Sequence, residues 1–235
     1  EEPAKRRNAL FPNLFGKKND LSYLPPKVSI EGHGIKRGLT AVEAAILMEQ
    51  PLDKVMTMIL FGVIKMGAAE VTKRDPLELA FAKEQPEYLH QYAKDFLKVF
   101  GEKDAAPRRQ FLQDMTIALV RSVSDKMKGF SRKETVDYYK SIMERAWTQV
   151  EVTKTPLEKS QKMEENLEWT MLDKNYANRI RRVFSDPFFV PNWWRHYDPI
   201  HNESALLFSD QQKISGVEFA TSIVTCTQSF SKNYR

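Results

Sequence analysis

The stretch that decides the fold is GIKRGLTAVEAAILMEQPLDKVMTMILFGVIKMGAAEVTKRDPLEL, residues 34–79. Thr40 and Glu43 have the spacing of a capping box, in which two side chains satisfy free backbone N–H groups where a helix begins. Pro51 suits the first turn of a second helix, and Gly67 is the kind of residue that ends one. The alternating segment that follows turns at KRDP and predicts a β-hairpin. Helix, helix and hairpin in this order form the winged-helix pattern.

The second helix of this pattern would be the one that reads DNA. A reading helix presents Arg, Lys, Asn or Gln to the base edges. The face opposite the apolar stripe of this helix carries Lys54, Thr57, Met58, Phe61 and Lys65. A helix that is apolar nearly all round is a buried helix, so we expect this face to pack on the helical half of the chain or on another chain. A winged-helix regulator that binds DNA remains an alternative.

Beyond the hairpin, apolar residues recur at helical spacing from residue 86 to residue 184. The next segment, SDPFFVPNWWRHYDPIHNES, holds too many prolines for a regular helix and predicts an ordered irregular loop. The final segment places Phe219, Ile223 and Cys226 at helical spacing, although its β-branched residues leave a strand open.

These patterns predict a mainly α protein with four consecutive parts. An extended basic arm covers residues 1–33, and a winged-helix-like module with a short β-hairpin covers residues 34–82. A helical bundle covers residues 86–184, and an aromatic, proline-rich loop with an amphipathic segment covers residues 185–235. The composition, with 42% hydrophobic and 29% charged residues, is that of a globular protein.

Positive charge is concentrated at the start of the chain. Residues 1–38 contain eight basic and four acidic residues, whereas the remainder is close to neutral. A basic leader on a neutral body suits an anionic membrane surface or an acidic protein partner better than a DNA-binding domain. The residues predicted for this contact are Lys5, Arg6, Arg7, Lys17 and Lys18. No apolar run in the sequence approaches the ~20 residues that span a bilayer.

The same leader carries large apolar residues in pairs, between Pro, Asn, Gly and Lys residues that interrupt a helix. Apolar residues in such a segment are expected to act as anchors on a protein surface. The predicted partner-binding set combines four residues of the leader with two of the second helix and two of the aromatic loop. Its members are Leu10, Phe11, Leu14, Phe15, Met58, Phe61, Trp193 and Trp194. The partner is either another protein or a second copy of this chain.

Catalytic chemistry has little support in the sequence. His196, Asp198 and His201 could approach a metal ion, but their spacing matches no common metal motif. The single cysteine, Cys226, excludes an intramolecular disulfide and lies on an apolar stripe, where a thiol is usually inert. The sequence therefore predicts no catalytic residue, no cofactor, no metal and no small-molecule substrate. A metal-dependent enzyme that uses His196 and His201 remains a second alternative.

Two longer stretches, GLTAVEAAILMEQPLDKVMTMILFGVIKMGAAEV and WTMLDKNYANRIRRVFSDPFFVPNWWRHYDP, carry a resemblance over about half of the chain. They resemble the soluble winged-helix and helical portion of uncharacterised predicted bacterial membrane proteins, a domain-of-unknown-function family with versions in Chloroflexi-type bacteria. The resemblance implies a position at the cytoplasmic face of a membrane, with the basic leader beside the lipid. It brings no catalytic residues. We therefore expect a non-catalytic protein-interaction or scaffold component of a larger, membrane-associated assembly.

Overall fold

The computed structural model describes residues 32–74, 76–185, 188–191, 193–198 and 213–233. Its elements in chain order are α1 (Ala41–Leu47), α2 (Leu52–Lys65), β1 (Ala69–Arg74), β2 (Leu77–Phe81), α3 (Gln91–Gly101), α4 (Ala105–Lys126), α5 (Arg132–Glu151), α6 (Pro156–Thr170), α7 (Tyr176–Val183), β3 (Phe188–Phe189), α8 (Trp194–Tyr197), β4 (Lys213–Ile214) and α9 (Gly216–Asn233). The predicted class, mainly α with a short hairpin, is confirmed. Within these ranges, no helix combines the length and the apolar character needed to cross a membrane.

The predicted order of helix, helix and hairpin is confirmed at the start of the described chain. The Thr40 hydroxyl accepts the Glu43 N–H at 3.2 Å, and the Glu43 carboxylate accepts the Thr40 N–H at 3.0 Å, so the capping box that begins α1 is complete. Strands β1 and β2 pair antiparallel, and their register shifts between Val71 and Lys73. These contacts join residues close in sequence, which is why the pattern was readable.

Helix α2 is the central helix of the fold, because it is covered on both sides. Its buried residues are Leu52, Val55, Met56, Thr57, Met58, Ile59, Leu60, Phe61, Val63 and Ile64. The face opposite the apolar stripe packs on α8 and α9, where the Thr57 hydroxyl lies 3.1 Å from the Thr227 hydroxyl. This face was predicted to pack on the helical half of the chain or on another chain, and among the described residues it packs on helices of its own chain.

The remaining helices pack in neighbouring pairs around this centre: α3 with α4, α5 with α6, and α7 with α9. Helices α5 and α6 begin directly after Ser131 and Thr155, and each of these hydroxyls accepts the backbone N–H three residues later at 3.3 Å. Buried apolar residues from Leu39 to Phe230 form one cluster. The helix–helix–hairpin module and the helical bundle therefore share a single hydrophobic core.

The chain before α1 lies along the N-terminal half of α5. The Ser131 N–H donates to the Gly34 carbonyl at 2.9 Å, and the Gly34 N–H donates to the Glu134 carboxylate at 2.8 Å. The Leu39 N–H donates to the Tyr139 hydroxyl at 2.8 Å. The Glu134 carboxylate thus binds a backbone group from 100 residues earlier in the chain.

The aromatic loop and the final segment complete the fold. The described part of the loop contains one helical turn, α8, which the irregular-loop prediction did not foresee. The open question of helix or strand in the final segment is resolved in favour of helix α9, where Phe219, Ile223, Cys226 and Phe230 are all buried. A two-residue antiparallel pair, β3 with β4, holds the start of the loop close to the start of α9.

Candidate functional site

Four of the predicted partner anchors form part of the core. The Phe61 ring centroid lies 5.5 Å from that of Trp193, 5.7 Å from that of Trp194 and 5.1 Å from that of Tyr197. Phe61 is 1% exposed, and Met58 is fully buried. The prediction that Met58, Phe61, Trp193 and Trp194 bind a partner is corrected, because these side chains pack on one another and on α9 inside the chain.

The other predicted contact residues lie outside the described residues. The apolar anchors concerned are Leu10, Phe11, Leu14 and Phe15. The basic residues concerned are Lys5, Arg6, Arg7, Lys17 and Lys18. Both sets stay predictions. His201, which was considered as a metal ligand, also lies outside the described residues.

Helix α2 has no face left for a DNA groove. Thr57 and Met58 are fully buried, so the helix surface that would read bases is inside the protein. Both of its lysines are engaged as well. Lys54 Nζ donates to the Asp173 carbonyl at 2.7 Å, and Lys65 Nζ donates to the Glu164 carbonyl at 2.9 Å. In this fold α2 is a core helix and not a recognition helix.

A buried ion pair joins the end of β1 to the loop. The Arg74 guanidinium pairs with the Asp198 carboxylate, whose side chain is 1% exposed, and lies 4.9 Å above the Tyr197 ring. A buried carboxylate needs such a partner, because removing it from water costs several kcal/mol. Asp198, which the sequence offered as a metal ligand beside His196, is therefore engaged in holding the hairpin to α8.

The thiol of Cys226 lies close to this pair. Burial raises the pKa of Cys226 to about 12, while the Tyr197 and Thr57 side chains act in the opposite direction. A thiol with this pKa stays protonated near neutral pH, and the thiolate is the form that attacks electrophiles. The structure thus agrees with the interpretation of Cys226 as a packing residue.

A second buried polar contact ties the start of α2 to the turn between α6 and α7. Burial lowers the pKa of Lys54 to about 8, although Asp173 and Asp53 act to raise it. Lys54 also donates to the Gln50 side chain at 3.1 Å, and Gln50 donates to the Leu172 carbonyl at 2.9 Å. The partners lie about 120 residues apart in sequence, so no local pattern could have revealed this contact.

The surroundings of His196 differ from those of a metal ligand. His196 Nδ1 lies 3.4 Å from a Glu70 carboxylate oxygen, with both side chains about half exposed, in a cleft of about 250 Å³ beside the hairpin. A zinc site uses three or four protein ligands. In the described part of the chain, no three His, Cys, Asp or Glu side chains come together as a metal site would require.

A groove between α3 and α4 is larger than the cleft beside the hairpin and could receive a ligand. Its volume is about 330 Å³, at the lower end of the range for ligand pockets. Val99 and Met115 form a buried apolar floor, and Phe111 stands beside it with 45% of its surface exposed. The carboxylates of Asp95 and Asp114 lie at the rim, and Lys98 lines the same groove.

The groove follows from how α4 is oriented. Its apolar stripe, which includes Leu112, Met115 and Leu119, is buried in the core. Phe111 precedes that stripe by one position, so it lies at the edge of the interface between α3 and α4. The sequence interpretation followed the stripe and passed over Phe111. The sequence does contain a signal for the groove: Phe111 is a large apolar residue outside the buried stripe, and Asp114 follows it one turn later.

The carboxylates at the rim are bound only weakly by the rest of the protein. Asp95 accepts the Gln91 amide at 2.9 Å, and Asp114 accepts the Gln110 amide at 3.0 Å. Both contacts are exposed and lie within one helix. Among the described residues, neither carboxylate is within salt-bridge distance of a cation. The groove therefore combines apolar surface with two carboxylates and one lysine, Lys98.

Comparisons of the chain with protein-family models, with curated proteins and with solved structures find no match. The geometry and chemistry of the chain's own residues are therefore the basis for interpreting its function. On that basis the groove between α3 and α4 is the best candidate site.

Proposed function

We propose that this chain is a non-catalytic protein-interaction component of a larger assembly, and that the α3–α4 groove is its docking surface. The occupant is a short segment of a partner protein that carries large apolar side chains followed by basic residues. One observation carries the proposal: the half-exposed Phe111 lies beside the apolar floor formed by Val99 and Met115, in a groove that is also lined by two carboxylates and one lysine.

The chemistry of the groove supports weak, reversible binding. Each Leu or Phe side chain that is fully buried contributes about 1.5–3 kcal/mol. Exposed contacts between lysine and carboxylate add about 0–1 kcal/mol each. Because association costs at least about 4 kcal/mol in lost freedom, two apolar anchors and two exposed ion pairs leave at most about 4 kcal/mol, so we expect a Kd of roughly 1 mM or weaker.

The position of the assembly is a separate part of the proposal. We place it at the cytoplasmic face of a membrane, and one observation supports this: the positive charge of residues 1–38. Lys5, Arg6 and Arg7 would lie at anionic headgroups, where each basic residue contributes about 1 kcal/mol. Flotation of the full chain with phosphatidylserine vesicles, but not with phosphatidylcholine vesicles, is the expected result, and equal behaviour with both would overturn it.

The docking proposal is tested by photo-cross-linking in cells. The full chain carries p-benzoyl-phenylalanine in place of Phe111, and the cross-linked peptides are sequenced by mass spectrometry. The control carries the same residue in place of Val152, which is 68% exposed and lies at the end of α5, away from the groove. We expect position 111, and not position 152, to capture a defined peptide of another protein with paired apolar residues beside basic ones.

A second variant tests whether the groove itself is responsible. Ala118 is exposed and lines the groove, so Ala118→Trp fills the groove without disturbing the core. Ser141→Trp, at an exposed position of α5, is the matched control. We expect the first variant to remove the cross-link at position 111 and the second to leave it. The same captured peptides at positions 111 and 152, or a cross-link that survives Ala118→Trp, would contradict the proposal.

A further inference from the structure

We infer that the outer edge of β2 pairs with the same edge of a second copy of this chain, so that two hairpins form one antiparallel sheet. The two β2 strands would run in opposite directions about a two-fold axis at Leu79. This inference concerns a different surface from the α3–α4 groove, and it stands whether or not that groove binds a partner protein. It assigns one of the two partners that the sequence left open, a second copy of the chain, to a particular strand.

Strand β2 has a neighbouring strand on one side only. β1 and β2 form a two-stranded sheet, and β1 also contacts α8, where Arg74 pairs with Asp198 and Glu70 lies 3.4 Å from His196. Along β2, Leu77 is buried and the other four residues are partly or fully exposed. Within the part of the chain that the structure describes, no hydrogen bond joins the backbone of β2 to an element other than β1.

The pairing with β1 determines which backbone groups of β2 point outward. In an antiparallel pair of strands, opposite residues alternate between those that exchange hydrogen bonds and those that do not. The Ala82 N–H donates to the Ala68 carbonyl at 3.1 Å, so the adjacent pair, Ala69 with Phe81, is one that does not. The N–H and C=O groups of Phe81, and of Leu79 two residues before it, therefore point away from β1.

These outward groups are complementary to those of a second β2 strand. By the same alternation, the backbone groups of Leu77 also point outward. When Leu79 lies opposite Leu79 of the second copy, Leu77 lies opposite Phe81 of that copy, and Phe81 opposite its Leu77. Each of these pairs would exchange two backbone hydrogen bonds. The register is therefore symmetric and uses every outward N–H and C=O group of the strand.

The side chains suit this register as well as the backbone does. Leu77, Leu79 and Phe81 lie on one face of the hairpin, because side chains alternate along a strand. Phe81 is 40% exposed, and Leu79 is only partly buried against the core. In the paired sheet the Phe81 ring would lie beside Leu77 of the second copy, so the apolar face would continue from one hairpin into the other.

β2 lacks the features that usually prevent edge strands from pairing, which are Pro, Lys, bulges and inward-pointing charges. Its sequence, LELAF, contains neither Pro nor Lys, and the irregularity of the hairpin lies in β1, between Val71 and Lys73. The charged residue of β2, Glu78, lies 3.5 Å from Lys73 of its own hairpin. It would face Ala80 of the second copy, so the pairing places no like charges opposite each other.

The expected dimer is weak, because a strand of five residues forms a smaller interface than the ~1,200–2,000 Å² of stable complexes. We therefore expect a Kd on the order of 0.1 mM. Analytical ultracentrifugation of the full chain at roughly 10 µM and roughly 0.5 mM measures it. The share of chains in dimers should rise from about one-seventh to about three-quarters between these concentrations.

Phe81→Lys tests whether β2 is the edge that pairs. A lysine at this position would have to lie beside Leu77 of the second copy, so we expect a monomer at both concentrations. The matched control is Tyr88→Lys, which also exchanges an exposed ring for a charge, at a position that is 84% exposed and lies between β2 and α3. This control and the groove variant Ala118→Trp should both dimerise like the native chain. Circular dichroism shows whether each variant keeps its helix content.

An intermolecular disulfide tests the register itself, and it decides the question even if Phe81→Lys alters the fold. Positions 78 and 80 of the two copies would form a pair with Cα atoms ~4.5 Å apart, which a disulfide can span. Like positions would lie diagonally, ~7–8 Å apart, beyond its usual reach. Glu78→Cys and Ala80→Cys chains are mixed with diamide, which takes up the two thiol hydrogens. Intact mass spectrometry should find mainly the mixed dimer.

The control for chance collisions mixes Glu78→Cys with Val152→Cys, at a position that is 68% exposed and lies at the end of α5. Its disulfide should form at least tenfold more slowly, since chance encounters lack a held geometry. Equal rates for the two mixtures would overturn the inference. So would an excess of dimers between like positions, because the strands would then pair in another register or not at all.

The remaining outcomes are equally decisive. A chain that stays monomeric at both concentrations overturns the inference, as does a dimer that survives a folded Phe81→Lys variant or is lost on Ala118→Trp. If the chain is monomeric and p-benzoyl-phenylalanine at position 78 captures another protein in cells, the edge belongs to a foreign strand instead of a second copy. The proposed function is judged separately by the peptides captured at position 111, because that experiment does not involve β2.

Discussion

Phe61→Ala tests the burial of the outer face of α2. The change removes a ring that is 1% exposed and lies 5.1–5.7 Å from three other aromatic rings. Replacing a buried Phe by Ala costs about 3–5 kcal/mol, and aromatic contacts add about 0.5–1.5 kcal/mol each. We therefore expect a loss near the upper end, about 4–5 kcal/mol, which is a large part of the ~5–15 kcal/mol that stabilises a typical protein.

Urea unfolding followed by tryptophan fluorescence measures this loss, because Trp193 and Trp194 contact the altered position. With an m-value of about 2–3 kcal/mol per molar urea, the midpoint should fall by roughly 1.5–2.5 M. The control is Phe111→Ala. Its ring is 45% exposed at the groove, so we expect a loss of less than about 1 kcal/mol.

A loss for Phe61→Ala no larger than that for Phe111→Ala would refute the reasoning. It would mean that the outer face of α2 is not covered by the loop and α9. The exclusion of α2 as a DNA-reading helix would then fail, and the original set of partner anchors would be open again. Phe61→Leu, which keeps most of the apolar volume, should lie between the two Ala variants.

Two further predictions concern the buried polar contacts. Asp198→Asn leaves Arg74 without its charged partner. Since the Arg74 side chain is 27% exposed, we expect the free energy of unfolding to fall by about 2–3 kcal/mol, toward the lower side of the values for buried pairs. Thermal unfolding measures this loss. The double change Arg74→Met with Asp198→Leu should recover most of it, and no recovery would show that the pair is not the cause. Burial lowers the pKa of Lys54 to about 8. Between about pH 8 and pH 10.5 the unfolded chain therefore binds more protons than the folded chain, so the free energy of unfolding rises with pH in this window. As the pH falls through 8 this extra stability is lost again. In urea titrations across that window, the free energy of unfolding of the native chain should rise by about 2–3 kcal/mol relative to that of the Lys54→Met variant. A difference between the two chains that is constant at all pH values would contradict the assignment.

The helix starts were predictable because their cause is local. Thr40 and Thr155 each bind a backbone N–H three residues away, so the information lies within one turn. Ser131 does the same for α5. Glu134 shows the limit of this reasoning, because its carboxylate accepts the Gly34 N–H from 100 residues earlier.

The candidate site was not predictable, for a physical reason. Whether Phe111 is covered depends on how far α4 is rotated against α3, and that rotation follows from packing across the whole core. One position along α4, Leu112 is 3% exposed, whereas Phe111 is 45% exposed. Hydrophobic periodicity finds the side of a helix that faces the core but not the residues at the edge of the interface.

Helix boundaries, the hairpin and the apolar circumference of α2 follow from backbone hydrogen bonding and side-chain spacing over a few residues, so reading the chain was enough to obtain them. The identity of what covers α2 is a different matter. Another protein, or this chain, could equally have supplied the apolar surface, and the choice rests on contacts such as that of Thr57 with Thr227, 170 residues apart. Folding turns Phe61 and the tryptophans into core residues and leaves Phe111 beside an open groove, because burial is a property of the packed chain and not of any segment within it.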